Sequence, residues 1–149
     1  MARVSTYLNF MGQSEEAMNW YQSIFGGSFV TPFMRYNETP PNPDAPALSE
    51  AEGNQIMHVE LEILSGHVIM ATDMLESMGH AVRIGNNTTI NLEPDSKEET
   101  ERLYRELSDD ATDASELQQM FWGSLWGTCL DRFGVRWMFN FGEPTASPA

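Results

Sequence analysis

The sequence is poor in cysteine and in basic residues. Its 149 residues include one cysteine, Cys129, and eight lysines and arginines against 22 aspartates and glutamates, for a formal net charge of −14. A lone cysteine excludes an internal disulfide and a cysteine-cluster metal site, and it is typical of a reducing compartment. Without a basic stripe the chain cannot displace the counterions of a nucleic acid, so we expect no nucleic-acid partner.

Long apolar runs are also missing. No stretch reaches the roughly 18–20 apolar residues of a membrane-spanning helix, and the opening MARVSTYLNF lacks the pattern of a signal peptide. The acidic balance disfavours anionic membrane surfaces as well. We therefore expect a cytoplasmic protein without a membrane partner; whether its acidity reflects a high-salt cytoplasm stays open. With 41% hydrophobic and 11% aromatic residues, the chain has enough apolar surface to fold.

An internal repeat organises the chain. In each copy a strand is followed by a helix, with Ser14 and Ser96 as the predicted N-caps, and Tyr21 of the first helix matches Tyr104 of the second. Alternating apolar patterns predict three more strands in each copy. The predicted strands lie at 6–10, 28–36, 56–63 and 67–72 in the first copy and at 89–93, 116–122, 125–130 and 135–141 in the second.

The repeat predicts an α+β fold made of two βαβββ units. We place the first unit at 1–73, a linker at 74–87, the second unit at 88–141 and a frayed tail at 142–149. Each unit is too small to bury its own sheet face, so the two are expected to pair into a single structural domain. The stretch 37–54, rich in proline, alanine and acidic residues, is predicted to be a long connecting loop.

Paired βαβββ units of this size resemble the vicinal oxygen chelate superfamily, which includes glyoxalase I, bleomycin-resistance proteins and extradiol dioxygenases. The similarity is greatest to its PhnB-like branch, labelled 3-demethylubiquinone methyltransferase-like, and is carried by YLNFMGQSEEAMNWYQSIFGG, IMHVELEI, NNTTINLEPDSKEE and MFWGSLWGTCLDRFGVRWMFN. The resemblance implies half-barrel sheets with helices on the outer face, a ligand cavity on the concave face, and a homodimer. We do not expect methyltransferase activity, because no glycine-rich turn joins a strand to a helix for a methyl donor.

The resemblance also implies where a metal would bind. Members that use a divalent metal hold it with side chains on the first and last strands of each unit. In this sequence those positions fall on Thr6, Met70, Thr89 and Met138. Threonine hydroxyls and thioethers are poor ligands for Mg, Mn, Fe or Zn. We therefore predict no metal at these positions and no cofactor.

A different constellation lies on the strand IMHVELEI. Side chains alternate between the two faces of a strand, so His58, Glu60 and Glu62 share one face. Histidine and glutamate at this spacing bind a metal, act as an acid–base pair, or simply form a solvated or cavity-lining face. His58 and Glu60 are therefore candidate catalytic residues. The other two histidines, an exposed His67 beside a turn and His80 in the linker, are weaker candidates.

Aromatic side chains are concentrated between 121 and 137. They line a pocket for a flat or apolar ligand, or else they fill the core or a dimer interface. Arg136 shares strand parity with Met138 and is suited to pair an anionic ligand. The candidate ligand-binding residues are Phe121, Trp122, Trp126, Asn91 and Arg136, with Gln119 and Trp137 as further members of the set.

The favoured interpretation is a small PhnB-like protein that binds a small organic molecule in a half-barrel cavity, without the usual metal site. The alternative is a metal-dependent lyase, isomerase or dioxygenase with a site displaced to His58 and Glu60, which would require a divalent metal. The residues name neither a reaction nor the ligand. They also leave open whether the two repeats pair within one chain or across a homodimer.

Overall fold

A computed structural model of the chain describes residues 1–142 and shows two compact units. Unit 1 is Met1–Arg83, and unit 2 begins at Ile84, inside the predicted linker 74–87. Each unit contains a four-stranded sheet and one long helix, which confirms the α+β class. The predicted single structural domain stays a prediction, and the predicted tail lies outside the described residues apart from Gly142. Over residues 1–142 no helix is long and apolar enough to cross a membrane.

Unit 1 is a mixed sheet with strand order β1-β4-β3-β2, in which β1 and β4 are parallel and the other pairs antiparallel. The proline-rich stretch between β2 and β3 is mainly a loop, as predicted, but it ends in a short helix that was not predicted. The elements are β1 (Thr6–Phe10), α1 (Ser14–Phe25), β2 (Phe29–Arg35), α2 (Glu50–Gly53), β3 (Ile56–Glu62) and β4 (Val68–Asp73).

Unit 2 repeats this topology with strand order β5-β8-β7-β6, and β5 is parallel to β8. Strand β6 begins four residues earlier than predicted. It also ends three residues earlier than predicted, because the chain turns after Gln119. The elements are β5 (Ile90–Leu92), α3 (Lys97–Leu107), β6 (Thr112–Gln119), β7 (Leu125–Leu130) and β8 (Arg136–Phe141).

One face of each sheet packs against the long helix of its unit. In unit 1, Val59 and Leu61 of β3 are fully buried with Met18 and Tyr21 of α1. Burying a side chain of this size stabilises the fold by about 1.5–3 kcal/mol. In unit 2, Tyr104 of α3 and Phe139 of β8 form one such contact, with their rings packed edge to face at 5.2 Å. The opposite side of each sheet, here called its open face, carries the remaining side chains of the strands.

The two helix starts differ from one another. The hydroxyl of Ser96 accepts the amide hydrogen of Glu99, which confirms Ser96 as the N-cap of α3. The prediction of Ser14 as an N-cap is wrong, since Gln13 occupies that position and Ser14 is the first helical residue. The amide of Ser14 donates instead to the carboxylate of Asp73 at the end of β4, so a distant side chain satisfies this helix start.

Candidate functional site

The open face of unit 1 carries a row of side chains across three strands. The register places Tyr7 of β1 beside Met70 of β4, and Met70 beside Glu60 of β3. His58 lies two residues before Glu60 on the same face, because alternate residues of a strand point to the same side. The intervening Val59 is fully buried on the helix side. The structure therefore brings His58 and Glu60 together, as predicted, and adds Tyr7 and Met70.

Glu60 is held by hydrogen bonds from two side chains. The Nε2 of His58 lies 3.1 Å from one carboxylate oxygen, and the Nη1 of Arg3 lies 3.5 Å from the other. The Glu60 side chain is only 13% exposed and that of His58 is 28% exposed. The hydrogen bond from His58 is the largest cause lowering the pKa of Glu60 below 4.5, burial opposes it, and the positive Arg3 lowers it further. Glu60 is therefore a carboxylate at neutral pH.

Tyr7 completes this cluster with an aromatic surface. Its ring stacks on that of His58 at a centroid distance of 6.2 Å and an interplanar angle of 22°. Tyr7 is 49% exposed, so part of its ring is accessible to a second molecule. The neighbouring Met70 accepts a weak hydrogen bond from the hydroxyl of Ser5. Together Tyr7, His58 and Glu60, called here the open-face cluster, present a flat ring surface beside a hydrogen-bonded carboxylate.

The metal positions inferred from the family are placed differently by the structure. Thr6 lies on the helix side of its sheet with Leu8, and its hydroxyl is 2.9 Å from the Nε2 of His67. His67, predicted to be exposed, is accordingly half-buried. Thr89 precedes β5 and is outside the strand. Thr6 therefore lies on the face opposite Met70, so these two inferred metal positions do not converge on one face of the sheet.

The register identifies the residues that do share a face with those methionines. Tyr7 pairs with Met70 in unit 1, and Asn91 pairs with Met138 in unit 2. The alignment of the repeats on their helix tyrosines matches Thr6 with Thr89. In the structure Tyr7 corresponds to Asn91, so the two first strands are offset by one residue from that alignment. Neither the phenol and thioether of unit 1 nor the amide and thioether of unit 2 supplies the imidazoles and carboxylates that such a metal centre uses. The donor set does not fit the metal of the family.

The displaced metal site is not favoured either. Within residues 1–142 no three His, Cys, Asp or Glu side chains are grouped to hold a metal ion. His58 and Glu60 supply two donors, whereas catalytic zinc sites usually have three protein ligands. The expectation that the chain needs no cofactor stays a prediction, for which the metal content of the purified protein is the test.

The open face of unit 2 is built around Arg136. Its side chain is 14% exposed, and its Nη2 donates to the carboxylate of Asp113 at 2.8 Å. The Nε of Arg136 is buried and has no hydrogen-bond partner within the described residues. Trp126 is half-buried on the same face, and Asn91 is exposed. These three predicted ligand-binding residues therefore share one sheet face.

The four predicted aromatic residues are not brought together. Phe121 is 96% exposed and Trp122 is 46% exposed, and both lie in the turn between β6 and β7, with their rings edge to face at 4.9 Å. Trp137 is buried on the helix side, where its Nε1 donates to Asp131 at 2.8 Å. Only Trp126 lies on the open face. The expected pocket of four rings is thus divided among a turn, the core and the sheet face.

The sequence did not predict that Tyr7 belongs to the open-face cluster, nor that Arg3 and Thr31 contact Glu60. The hydroxyl of Thr31 on β2 accepts the amide hydrogen of Glu60 at 3.0 Å. Their approach depends on which strands pair and in which register. Two registers are needed to place Tyr7: the parallel pairing of β1 with β4 puts it beside Met70, and the pairing of β4 with β3 puts Met70 beside Glu60.

Comparisons with known proteins agree with this fold. The family model described as 3-demethylubiquinone-9 3-methyltransferase matches residues 2–139. Protein YjdN of Escherichia coli (strain K12) is 30% identical over 142 residues, which cover 92% of this chain and 93% of YjdN. The crystal structure of protein PA1353 from Pseudomonas aeruginosa is 28% identical with a TM-score of 0.79, covering 95% of this chain and 98% of PA1353.

Two further solved structures share this fold at lower sequence identity. A putative 3-demethylubiquinone-9 3-methyltransferase, PhnB protein, from Bacillus cereus is 22% identical with a TM-score of 0.74, covering 95% of this chain and all of that one. The fosfomycin resistance protein FosX from Listeria monocytogenes is 13% identical with a TM-score of 0.57, covering 98% of this chain and 94% of FosX. The fold is that of the vicinal oxygen chelate superfamily, in which glyoxalases are also found. The chain belongs to the PhnB-like family whose model carries the 3-demethylubiquinone-9 3-methyltransferase description.

Proposed function

We propose that the chain is a small-molecule-binding member of this family, and that it holds an organic ligand against the open face of unit 1. The observation that carries the proposal is the open-face cluster, in which an ionised Glu60 lies beside the stacked rings of Tyr7 and His58. Ligand sites commonly combine an apolar or aromatic surface with a few convergent polar groups.

The cluster favours a particular ligand chemistry. One oxygen of Glu60 is taken by His58, whereas the other accepts only a long contact from the half-exposed Arg3. Because Arg3 is half-exposed and its contact with Glu60 is long, an N–H or O–H of a ligand can replace Arg3 at that oxygen. The exposed part of the Tyr7 ring then stacks on a flat portion of the ligand. A planar molecule with a hydrogen-bond donor is the expected class.

The open face of unit 2 supports binding in a similar way. Arg136 carries a permanent charge and its Nη2 already pairs with the exposed carboxylate of Asp113, so a carboxylate or phosphate that replaces Asp113 is the group it would pair. Asn91 and Trp126 would orient such a ligand on the same face. No reaction is proposed at either face.

We also propose a cytoplasmic homodimer. The exposed rings of Phe121 and Trp122 support self-association, since large apolar side chains paired on a surface are typical of interaction sites. The single cysteine and the acidic balance support the location. Light scattering of the wild type and of Phe121→Ser tests the dimer; a monomer at micromolar concentration for the wild type would contradict it.

The binding proposal is tested by a thermal-shift screen of small planar compounds that carry amide or hydroxyl donors. A compound that stabilises the wild type is expected to bind Glu60→Gln and Tyr7→Ala at least tenfold more weakly. Glu93→Gln, an exposed glutamate after β5, serves as the control and should bind like the wild type. Compounds whose stabilising effect is unchanged in both cluster variants would refute binding at this face.

A further inference from the structure

A concave site separate from the open-face cluster lies in unit 1. A cavity of about 600 Å³ is bounded on one side by the proline-rich loop that follows β2 and on the other by the segment that follows β4. Proline, alanine and leucine side chains between 40 and 48 form the loop side, and Leu75, Met78 and His80 form the other. Its volume lies within the roughly 300–1,000 Å³ of small-molecule pockets. None of Tyr7, His58 and Glu60 lines it.

The two walls of the cavity are tied to the body of the unit. The hydroxyl of Tyr36, where the loop begins, donates to the backbone carbonyl of Asp73 at 2.6 Å. The hydroxyl of Ser77 donates to the carboxylate of Glu52 at 2.8 Å, which joins the segment after β4 to helix α2 at the end of the loop. Prolines restrict the backbone between these ties, so the loop loses little entropy when a ligand binds. The cavity is therefore largely preformed.

The chemistry of the lining selects the ligand. The chain has 22 acidic and eight basic residues, yet the residues that line the cavity include none of them. A charged group placed there would lose hydration without meeting an opposite charge. An apolar molecule gains from the same burial. His80 and the side-chain amides of Asn37 and Asn42 supply the few polar contacts that orient it.

We propose that this cavity binds one neutral, predominantly apolar organic molecule of aromatic or alicyclic type. The volume argues for that occupant, because about 600 Å³ holds one molecule of this kind. The site is independent of the open-face cluster, so this proposal does not rest on the binding proposed there.

The test is a fluorescence titration of the full chain with N-phenyl-1-naphthylamine, a neutral probe that brightens in apolar sites. Saturable binding of one probe per chain is expected. The related anionic probe 8-anilinonaphthalene-1-sulfonate, which adds a sulfonate to the same rings, is expected to bind at least tenfold more weakly. Equal affinity for the two probes would overturn the inferred ligand class.

Variants then locate the site. Leu48→Asp and Met78→Asp place a charge in the two walls at side chains that are 37% and 48% exposed, so the fold should tolerate them. Each is expected to weaken the neutral probe at least tenfold. Val30→Asp, at a 51% exposed position on β2 outside the lining, and Tyr7→Ala should leave binding unchanged.

Other outcomes would overturn the proposal. These are no saturable binding, full binding by both wall variants, or loss of binding in Tyr7→Ala, which would place the probe on the open face. One probe per two chains would place the site between copies and would also overturn it. If the cavity does not bind the probe, the binding proposed at the open face still stands, because that proposal is tested separately by the compound screen and by Glu60→Gln.

Discussion

Replacing Asp73 measures how much one buried carboxylate stabilises unit 1. One of its oxygens accepts the amide hydrogens of Gly12 and Ser14, each at 3.0 Å. The other accepts the amide hydrogen of Ile56 at 2.9 Å, and the residue is 1% exposed. These amides belong to the turn after β1, the start of α1 and the start of β3. A single side chain at the end of β4 therefore joins three other elements.

The expected loss follows from the burial of those donors. Gly12 is exposed and regains a hydrogen bond from water, whereas Ser14 and Ile56 are buried. Two buried donors left without an acceptor cost about 2–6 kcal/mol. Part of this loss is offset, because the folded state no longer has to bury a carboxylate away from water. We expect Asp73→Ala to lower the free energy of unfolding by about 3 kcal/mol. Asp73→Asn keeps one acceptor oxygen and should lose about half as much.

Urea unfolding followed by tryptophan fluorescence and circular dichroism is the assay. Glu93→Ala removes the same unit of charge from an exposed site and should change the free energy of unfolding by less than about 0.5 kcal/mol. In thermal unfolding, Asp73→Ala should lower Tm by roughly 6–12 °C. A loss below about 1 kcal/mol, or one equal to that of Glu93→Ala, would refute the role assigned to this carboxylate.

Four further results are expected. Gly27→Ala should lower the free energy of unfolding in urea by more than about 2 kcal/mol, because a Cβ there would lie 1.8 Å from a backbone carbonyl oxygen of β3. The control Gly26→Ala, at φ +69° with open space around it, should lower it by only about 1 kcal/mol. Equal losses would contradict the close packing of Gly27 against β3. Burial raises the pKa of Cys129 to about 12, so a disulfide reagent near pH 8 should react far more slowly with the folded than with the unfolded chain. The carboxyl group of Glu60 should titrate below 4.5 in NMR, and His58→Ala should raise its pKa. The contribution of Glu60 to the free energy of unfolding should be present above pH 4.5 and lost as the pH falls through the lowered pKa. Protein purified without a tag or chelator should hold well under one divalent ion per chain by mass spectrometry, whereas about one tightly bound ion would revive the displaced metal site.

Local patterns were enough to predict most elements of the fold. Alternation located β1 and β7 at their observed bounds, and Ser96 marked the start of α3. The start of α1 was misassigned because its acceptor, Asp73, is 59 residues away from Ser14 in the chain. A contact of that range leaves no local trace in the sequence.

The candidate site divides in the same way. His58 and Glu60 follow from the period of one strand, so the sequence located them, whereas Tyr7 depends on the register of two further strand pairs. Phe121 and Trp122 were assigned to a strand because their residue types favour one. The chain turns after Gln119 instead, and the two rings lie in the turn.

The loop cavity could not be predicted from composition. Prolines and alanines between 40 and 48 are typical of a connecting loop, which is how the stretch was interpreted. The loop becomes the wall of a cavity because Tyr36 is bonded to Asp73 and Ser77 to Glu52. Both are side-chain contacts between separate segments, which residue types alone do not specify.

The central claim is that the open face of unit 1 binds a planar ligand through Tyr7 and Glu60. Two-dimensional NMR of the isotope-labelled full chain with a compound from the screen tests it most directly. We predict that the perturbed amides lie on β1 and β3 around these two residues, and that Glu60→Gln abolishes the perturbation at the same compound concentration. Perturbations confined to the loop cavity or to unit 2, or an unchanged response in Glu60→Gln, would contradict the claim.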